Sequence, residues 1–135
     1  MIDAKLLDVR KKFEDSPYFQ FLGIEILSFE EGNVETKLQV KEDFMNTNGT
    51  LHGGVHASMI DFVMGMTIVS KTKIKCNTMN LNIHYIKPVL TGDIFAKGFI
   101  VHEGYKTIVV EGILYDKEGE LIAKGSGTFK LMRGK

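Results

Sequence analysis

The segment from Gly54 to about Lys71, GVHASMIDFVMGMTIVSK, constrains this chain more than any other. Val55, Ala57, Met59, Ile60, Phe62, Val63, Met64, Met66, Ile68 and Val69 distribute around a helix and leave no polar face. A helix of that kind is normally surrounded by protein. Yet Asp61 stands in its middle. An ionised carboxylate left unpaired in a core costs several kcal/mol even after relaxation. Asp61 must therefore be solvated, paired or protonated. Either the helix turns it toward solvent or a lysine, or it faces a pocket and acts on a substrate as base or nucleophile.

The flanking sequence supplies the wrapping. Residues 3–13 read as a short amphipathic helix ended by Ser16-Pro17. Phe21–Phe29 and Val34–Val40 pair across the Glu31-Gly32-Asn33 turn as a hairpin. The stretch KEDFMNTNGTLHGG reads as a loop before the apolar helix. Four further strands follow: Thr78–Tyr85, Ile94–His102, Thr107–Tyr115 and Leu121–Met132. The order predicts an α+β fold over 1–135, with residues 1–16 as an N-terminal helix. A curved antiparallel six-stranded sheet wraps one long central helix, which is the hotdog fold. Such a sheet has open edges, and pairing two copies edge to edge protects them.

Composition narrows the function classes. Lys plus Arg and Asp plus Glu are equal at 17 each, so neither a basic footprint for nucleic acid nor an acidic tail is present. One cysteine, Cys76, excludes an internal disulfide framework and points to a reducing cytoplasm. Cys76 has no base nearby in sequence and reads as a small structural residue. Asp61 and Lys71 interrupt the longest apolar run, so no membrane-spanning helix is expected.

The residues before the helix give Asp61 a chemical context. His52-Gly53-Gly54 falls where the helix begins, at unpaired amides and the positive end of its dipole. Glycine lets another molecule approach that backbone, and such a site can polarise a carbonyl and hold an oxyanion. A plain loop-to-helix turn would use the same glycines. His52 is a base or a ring that ties the loop down. Asn46 is a loop cap or orients water or a carbonyl, and Asn48-Gly49 makes a turn. Thr78 is a β-former or a hydroxyl donor. His52 and His56 have a loosely metal-like spacing, but Gly53 stands where an HExxH motif needs glutamate. No metal and no separate cofactor is expected.

The stretch NTNGTLHGGVHASMIDFVMG resembles the signature of the hotdog acyl-coenzyme A thioesterases of the phenylacetyl-CoA type, within the 4-hydroxybenzoyl-CoA thioesterase superfamily. TMNLNIHYIKPVLTGD, HEGYKTIVVEG and GELIAKGSGTF resemble later strands of that family, so the likeness covers about residues 17–132. It implies an acyl-CoA thioesterase, with CoA as part of the substrate. The Gly53 amide would hold the thioester carbonyl, and Asn46 would position the carbonyl or water. Asp61 of the neighbouring subunit would be nucleophile or base, with Thr78 orienting water beside it. Gly54 belongs to the same helix start. The CoA arm would run near Asn80, Tyr85 and the Gly104-Tyr105-Lys106-Thr107 turn, with Lys106 and Lys130 as phosphate contacts or ordinary surface charges. The resemblance further implies a homodimer with shared active sites, two dimers forming a tetramer, and no nucleic-acid or membrane partner. His56 is an added polar group that could narrow an acyl pocket. Met59, Phe62, Val63 and Met66 line such a pocket or pack the core. Alternatives are an acyl-carrier-protein thioesterase, and a non-catalytic acyl-CoA sensor. Residues 1–16 are too few for the DNA-binding domain that hotdog regulators carry. A hotdog hydratase would need an Asp/His loop motif that this chain lacks.

Overall fold

The computed structural model describes residues 3–133, so the outermost residues of the expected 1–135 unit lie outside the described part. Helix α1 (Ala4–Glu14) starts at Asp3, whose carboxylate accepts the Lys5 N–H at 2.9 Å. Lys11 and Lys12 occupy its last turn, where the helix dipole favours cations. Ser16-Pro17 does more than end this helix. Ser16 caps a second one, α2 (Pro17–Leu22), whose first position suits proline because that N–H has no helical partner anyway. Gly23, at φ 73°, closes α2 in a left-handed conformation that favours glycine. Strand β1 is therefore Glu25–Glu30, shorter than the Phe21–Phe29 expected, because Phe21 and Leu22 belong to α2.

The remaining elements fall close to expectation. They are β2 (Asn33–Gln39), α3 (Gly53–Thr72), β3 (Cys76–Tyr85), β4 (Asp93–Glu103), β5 (Thr107–Asp116) and β6 (Leu121–Leu131). One antiparallel sheet runs in the order β1-β2-β4-β5-β6-β3. It curves around α3, which touches all six strands. This is the α+β hotdog fold. By length and composition α3 could cross a membrane, Asp61 and Lys71 notwithstanding. Its apolar surface is taken up by the sheet instead, with 67% of its most apolar window buried.

Three glycines fix how closely helix and sheet approach. Gly98 on β4, Gly112 on β5 and Gly125 on β6 stand side by side in register. A Cβ at Gly98 would lie 2.2 Å from Thr67 Oγ1 and 2.9 Å from the Val63 carbonyl oxygen. At Gly112 it would meet Met64 Cγ at 3.0 Å, and at Gly125 Ile60 Cγ2 at 2.8 Å. The helix rests in this trough, and its polar groups there are internally satisfied. Thr67 Oγ1 donates to the Val63 carbonyl at 2.6 Å and Ser70 Oγ to the Thr67 carbonyl at 2.7 Å.

Gly65 differs. A Cβ there would meet only Phe129 Cε2, at an ordinary 3.7 Å. Glycine in a helix interior costs about 1 kcal/mol relative to alanine, and no close approach requires it here. Gly98→Ala is expected to lower the unfolding free energy by roughly 1–3 kcal/mol through overpacking. Gly65→Ala is expected to raise it by up to about 1 kcal/mol. Urea denaturation of both variants checks the contrast.

Candidate active site

Two polar constellations lie along α3. The first is at its N-terminus. His52 is the cap residue, and its Nδ1 accepts the Gly54 N–H at 2.8 Å. Its ring therefore ties the loop to the helix. The His52 carbonyl takes the N–H groups of Val55 and His56 at 2.9 and 3.4 Å. Among the described residues the Gly53 N–H has no partner, which leaves it as the unspent donor of the first turn. Tyr85 stands beside it. The Tyr85 hydroxyl donates to the Gly53 carbonyl at 3.1 Å, and its ring lies 3.3 Å from where a Gly53 Cβ would be. Asn46 closes the preceding loop. Its Oδ1 accepts the N–H groups of Asn48 and Thr50 at 2.8 and 3.0 Å, and its Nδ2 donates to Thr50 Oγ1 at 2.8 Å.

His56 is 4% exposed, with its ring centroid 5.5 Å from that of Tyr85. Its Nδ1 is buried without a hydrogen-bond partner. Burial lowers its pKa below the ordinary value of 6.5, so the neutral ring is favoured.

The second constellation is Asp61 with Thr78. Thr78 Oγ1 donates to Asp61 Oδ1 at 2.7 Å. A bulge in β3 makes this possible. Opposite β6, Thr78 pairs with Phe129 and Asn80 with Thr128, so Met79 is one residue too many. In a regular strand Thr78, three residues before Leu81, would face the other way. The extra residue turns Thr78 to the helix side with Cys76, Leu81 and Ile83, which pack against the core. Cys76 has its pKa raised to about 11, first by burial and then by the nearby Asp61 charge. It is an inert thiol, not a nucleophile.

Asp61 is half-buried and opens onto a cavity of about 620 Å³ between α1, α3 and β3. Of the four apolar pocket candidates, Met59, Val63 and Met66 are fully buried core, whereas Phe62 lines this cavity. Pattern reading missed the α1 contribution, Val9 and Phe13. The signal available was the i, i+4 series Asp61, Gly65, Val69, all three of which line the cavity.

The two constellations are eight residues apart on one helix, about 12 Å along its axis. The other candidates scatter further. Asn80 Oδ1 accepts the Thr128 N–H at 3.2 Å beside the bulge. Lys130 pairs with Thr107 on one side and Asn77 on the other, which places it beside the Gly104–Thr107 turn. In that turn Arg133, absent from the sequence reading, stacks 4.3 Å from the Tyr105 ring and donates to its carbonyl at 2.6 Å. Tyr85 and Asn77 occupy opposite ends of β3, eight residues or roughly 27 Å apart. Within one subunit the structure does not gather Tyr85 with Tyr105, Lys106 and Lys130. Among the described residues no group of three or more His, Cys, Asp or Glu side chains is placed to hold a metal.

A sequence profile described as the thioesterase superfamily matches residues 48–123, which include His52, Gly53, Asp61, Thr78 and Tyr85. The chain belongs to that superfamily. As a thioesterase it is similar to a Saccharolobus solfataricus protein that carries a provisional esterase name. The two are 30% identical over 87% of this chain and 84% of that one. It is also 31% identical to human acyl-coenzyme A thioesterase 13, over 78% of this chain and 77% of the human one. The Escherichia coli PaaI protein of the phenylacetic acid degradation operon shares the fold. Its TM-score is 0.90 at 20% identity, with 100% of this chain and 99% of that chain covered. The thioesterase assignment sets the reaction class as thioester hydrolysis.

Two measurements check the electrostatics of this thioesterase. Alkylation of Cys76 by iodoacetamide at about pH 8 is expected to run roughly a hundredfold slower than for an unperturbed thiol of pKa about 8.5. Because folding lowers the His56 pKa, the unfolded chain binds the extra proton. Stability should then fall as pH drops below about 6.5, by up to roughly 1.4 kcal/mol per pH unit. His56→Met should flatten the pH dependence of urea denaturation between about pH 6.5 and 5 relative to wild type.

Proposed function

We propose that this thioesterase hydrolyses acyl-CoA thioesters to a carboxylic acid and CoA at a site shared by two subunits. The observation that carries the reading is the axial offset of about 12 Å between the free Gly53 N–H and the Asp61 carboxylate. Both cannot serve one carbonyl from the same helix. Two antiparallel copies of α3 would place Asp61 of one subunit opposite Gly53 of the other. The exposed edge strand β3, with Met79 60% and Tyr85 55% exposed, offers the surface for such pairing. Human acyl-coenzyme A thioesterase 13 supports the acyl-CoA substrate by likeness.

In this reading the partner subunit's Gly53 N–H holds the thioester oxygen and stabilises the charge that grows on it. Thr78 fixes one Asp61 oxygen and leaves Oδ2 for catalysis. Oδ2 takes a proton from water as the water oxygen attacks the carbonyl carbon. The tetrahedral intermediate then collapses, the carbon–sulfur bond breaks, and CoA leaves as thiolate and regains a proton. A thiolate is a good leaving group, so no strong second acid is needed. Asn46 and His52 act through the loop and helix cap they build. The 104–107 turn and Lys130 of one subunit meet the CoA arm where β3 carries it across the interface. The dimers pair into a tetramer, and the protein works in the cytoplasm.

Asp61→Asn is expected to lower kcat for thiol release at least about a hundredfold. The shared site is checked separately by mixing Asp61→Asn with Gly53→Val. Random re-association of two inactive variants yields mixed dimers with one intact site, or roughly a quarter of wild-type activity. Zero recovery, with mixed dimers demonstrated by mass, would place each site within one subunit.

A further inference from the structure

The cavity beside Asp61 has a direction. The Asp3 carboxylate lies 3.8 Å from Lys73 Nζ, which ties the start of α1 to the end of α3. The far end of α1 leads into α2, where Phe19 packs edge-on against Phe62 with ring centroids 5.3 Å apart. The two helices therefore run antiparallel, and the space between them is elongated along α3. Asp61 and Thr78 stand at one end, and Val69 and Lys73 at the other. Val9 and Phe13 roof the space, and Phe129 and Cys76 floor it. From Asp61 to Val69 the helix rises about 12 Å. The volume, about 620 Å³, lies within the roughly 300–1,000 Å³ typical of small-molecule sites.

Gly65 stands one turn beyond Asp61 on this wall. Unlike at Gly98, Gly112 and Gly125, a Cβ here would meet no close neighbour, only Phe129 Cε2 at an ordinary 3.7 Å. Its missing side chain is what keeps the middle of the chamber clear. The far end is bounded by Lys5, Lys73 and Lys75. Lys73 is already paired with Asp3 and Glu31, so an apolar tail must stop there.

We infer that this chamber holds the acyl group of the substrate as an extended aliphatic chain, and that Gly65 determines how long that chain can be. The inference rests on the reading of Asp61 as the group acting on an acyl-CoA. A space about 12 Å long matches the extended length of unbranched chains near octanoyl to dodecanoyl, and a single aromatic ring would leave it partly unfilled. Gly65→Leu would put a branched side chain across the middle and cut the chamber short.

The test is a series of acyl-CoA substrates from butyryl to myristoyl, with phenylacetyl-CoA and benzoyl-CoA for comparison. Wild type should favour the octanoyl-to-dodecanoyl range over both aryl substrates. Gly65→Leu should lower the dodecanoyl-to-butyryl ratio of kcat/KM at least about tenfold, and Gly65→Ala should shift it the same way by less. Gly65→Ala keeps the inference testable if the leucine variant does not fold. An unchanged chain-length profile in folded variants, or a wild-type preference for the aryl substrates, would overturn it. A second measurement is independent of turnover. A non-hydrolysable dodecyl ketone analogue of acyl-CoA with a terminal diazirine should photolabel the α1 peptide around Lys5 and Val9, at the far end of the chamber. Labelling elsewhere alone would overturn the chamber. If wild type turned over no acyl-CoA at all, the proposed function would fail, while this labelling would still decide the chamber.

Discussion

The seating of α3 on Gly98, Gly112 and Gly125 is the contact on which the rest of the molecule depends. A helix that is apolar on every side has little hydrophobic reason to prefer one rotation about its axis. The glycine trough supplies that reason sterically. Only the face carrying Ile60, Val63, Met64 and Thr67 fits against it. Once this face is down, Asp61, Gly65 and Val69 have to point away from β4 and β5, toward α1 and β3. The direction of the one carboxylate in the apolar stretch is thus set by backbones that approach too closely to admit a methyl group.

With the rotation fixed, the energetic difficulty of Asp61 is resolved locally. It is not sealed in the core, since one oxygen takes a hydroxyl from Thr78 and the other borders an open cavity. The helix start shows the complementary economy. His52 consumes the Gly54 donor, and one donor, the Gly53 N–H, is left over. The phenol of Tyr85 then occupies the space that a larger residue at 53 would need. One end of the helix is arranged to meet negative charge and its middle to carry it.

Much of this was legible in the sequence. The all-round apolar segment, the strand alternation and the Gly32 turn specified the central helix and its wrapping, because burial and periodicity are local signals. Asp61 was conspicuous because charge in such a segment is expensive, and His52-Gly53-Gly54 because glycines before a helix expose its amides. Other features depend on contacts between layers and leave no local trace. Gly98, Gly112 and Gly125 lie far apart in the chain, and only the register shows that they form one row. The helix Pro17–Leu22 was hidden because its aromatic residues suit a strand equally well. His56 was visible only as an extra polar group, whereas its burial against Tyr85 is a tertiary fact. The split between Tyr85 and the Gly104–Thr107 turn follows from the length of β3.

The bulge at Met79 decides which way the strand before it faces. The hydroxyl at 78 faces the carboxylate because the strand contains one surplus residue, not because of any property of the threonine. Were Met79 drawn into the regular pleat, the residues before it would turn over while the ladder beyond it and the helix stayed as they are. Thr78 would then face solvent and Asp61 would lose the hydroxyl that it accepts. In this fold the pleat of one edge strand, with no side chain altered, decides whether the carboxylate keeps its hydroxyl partner.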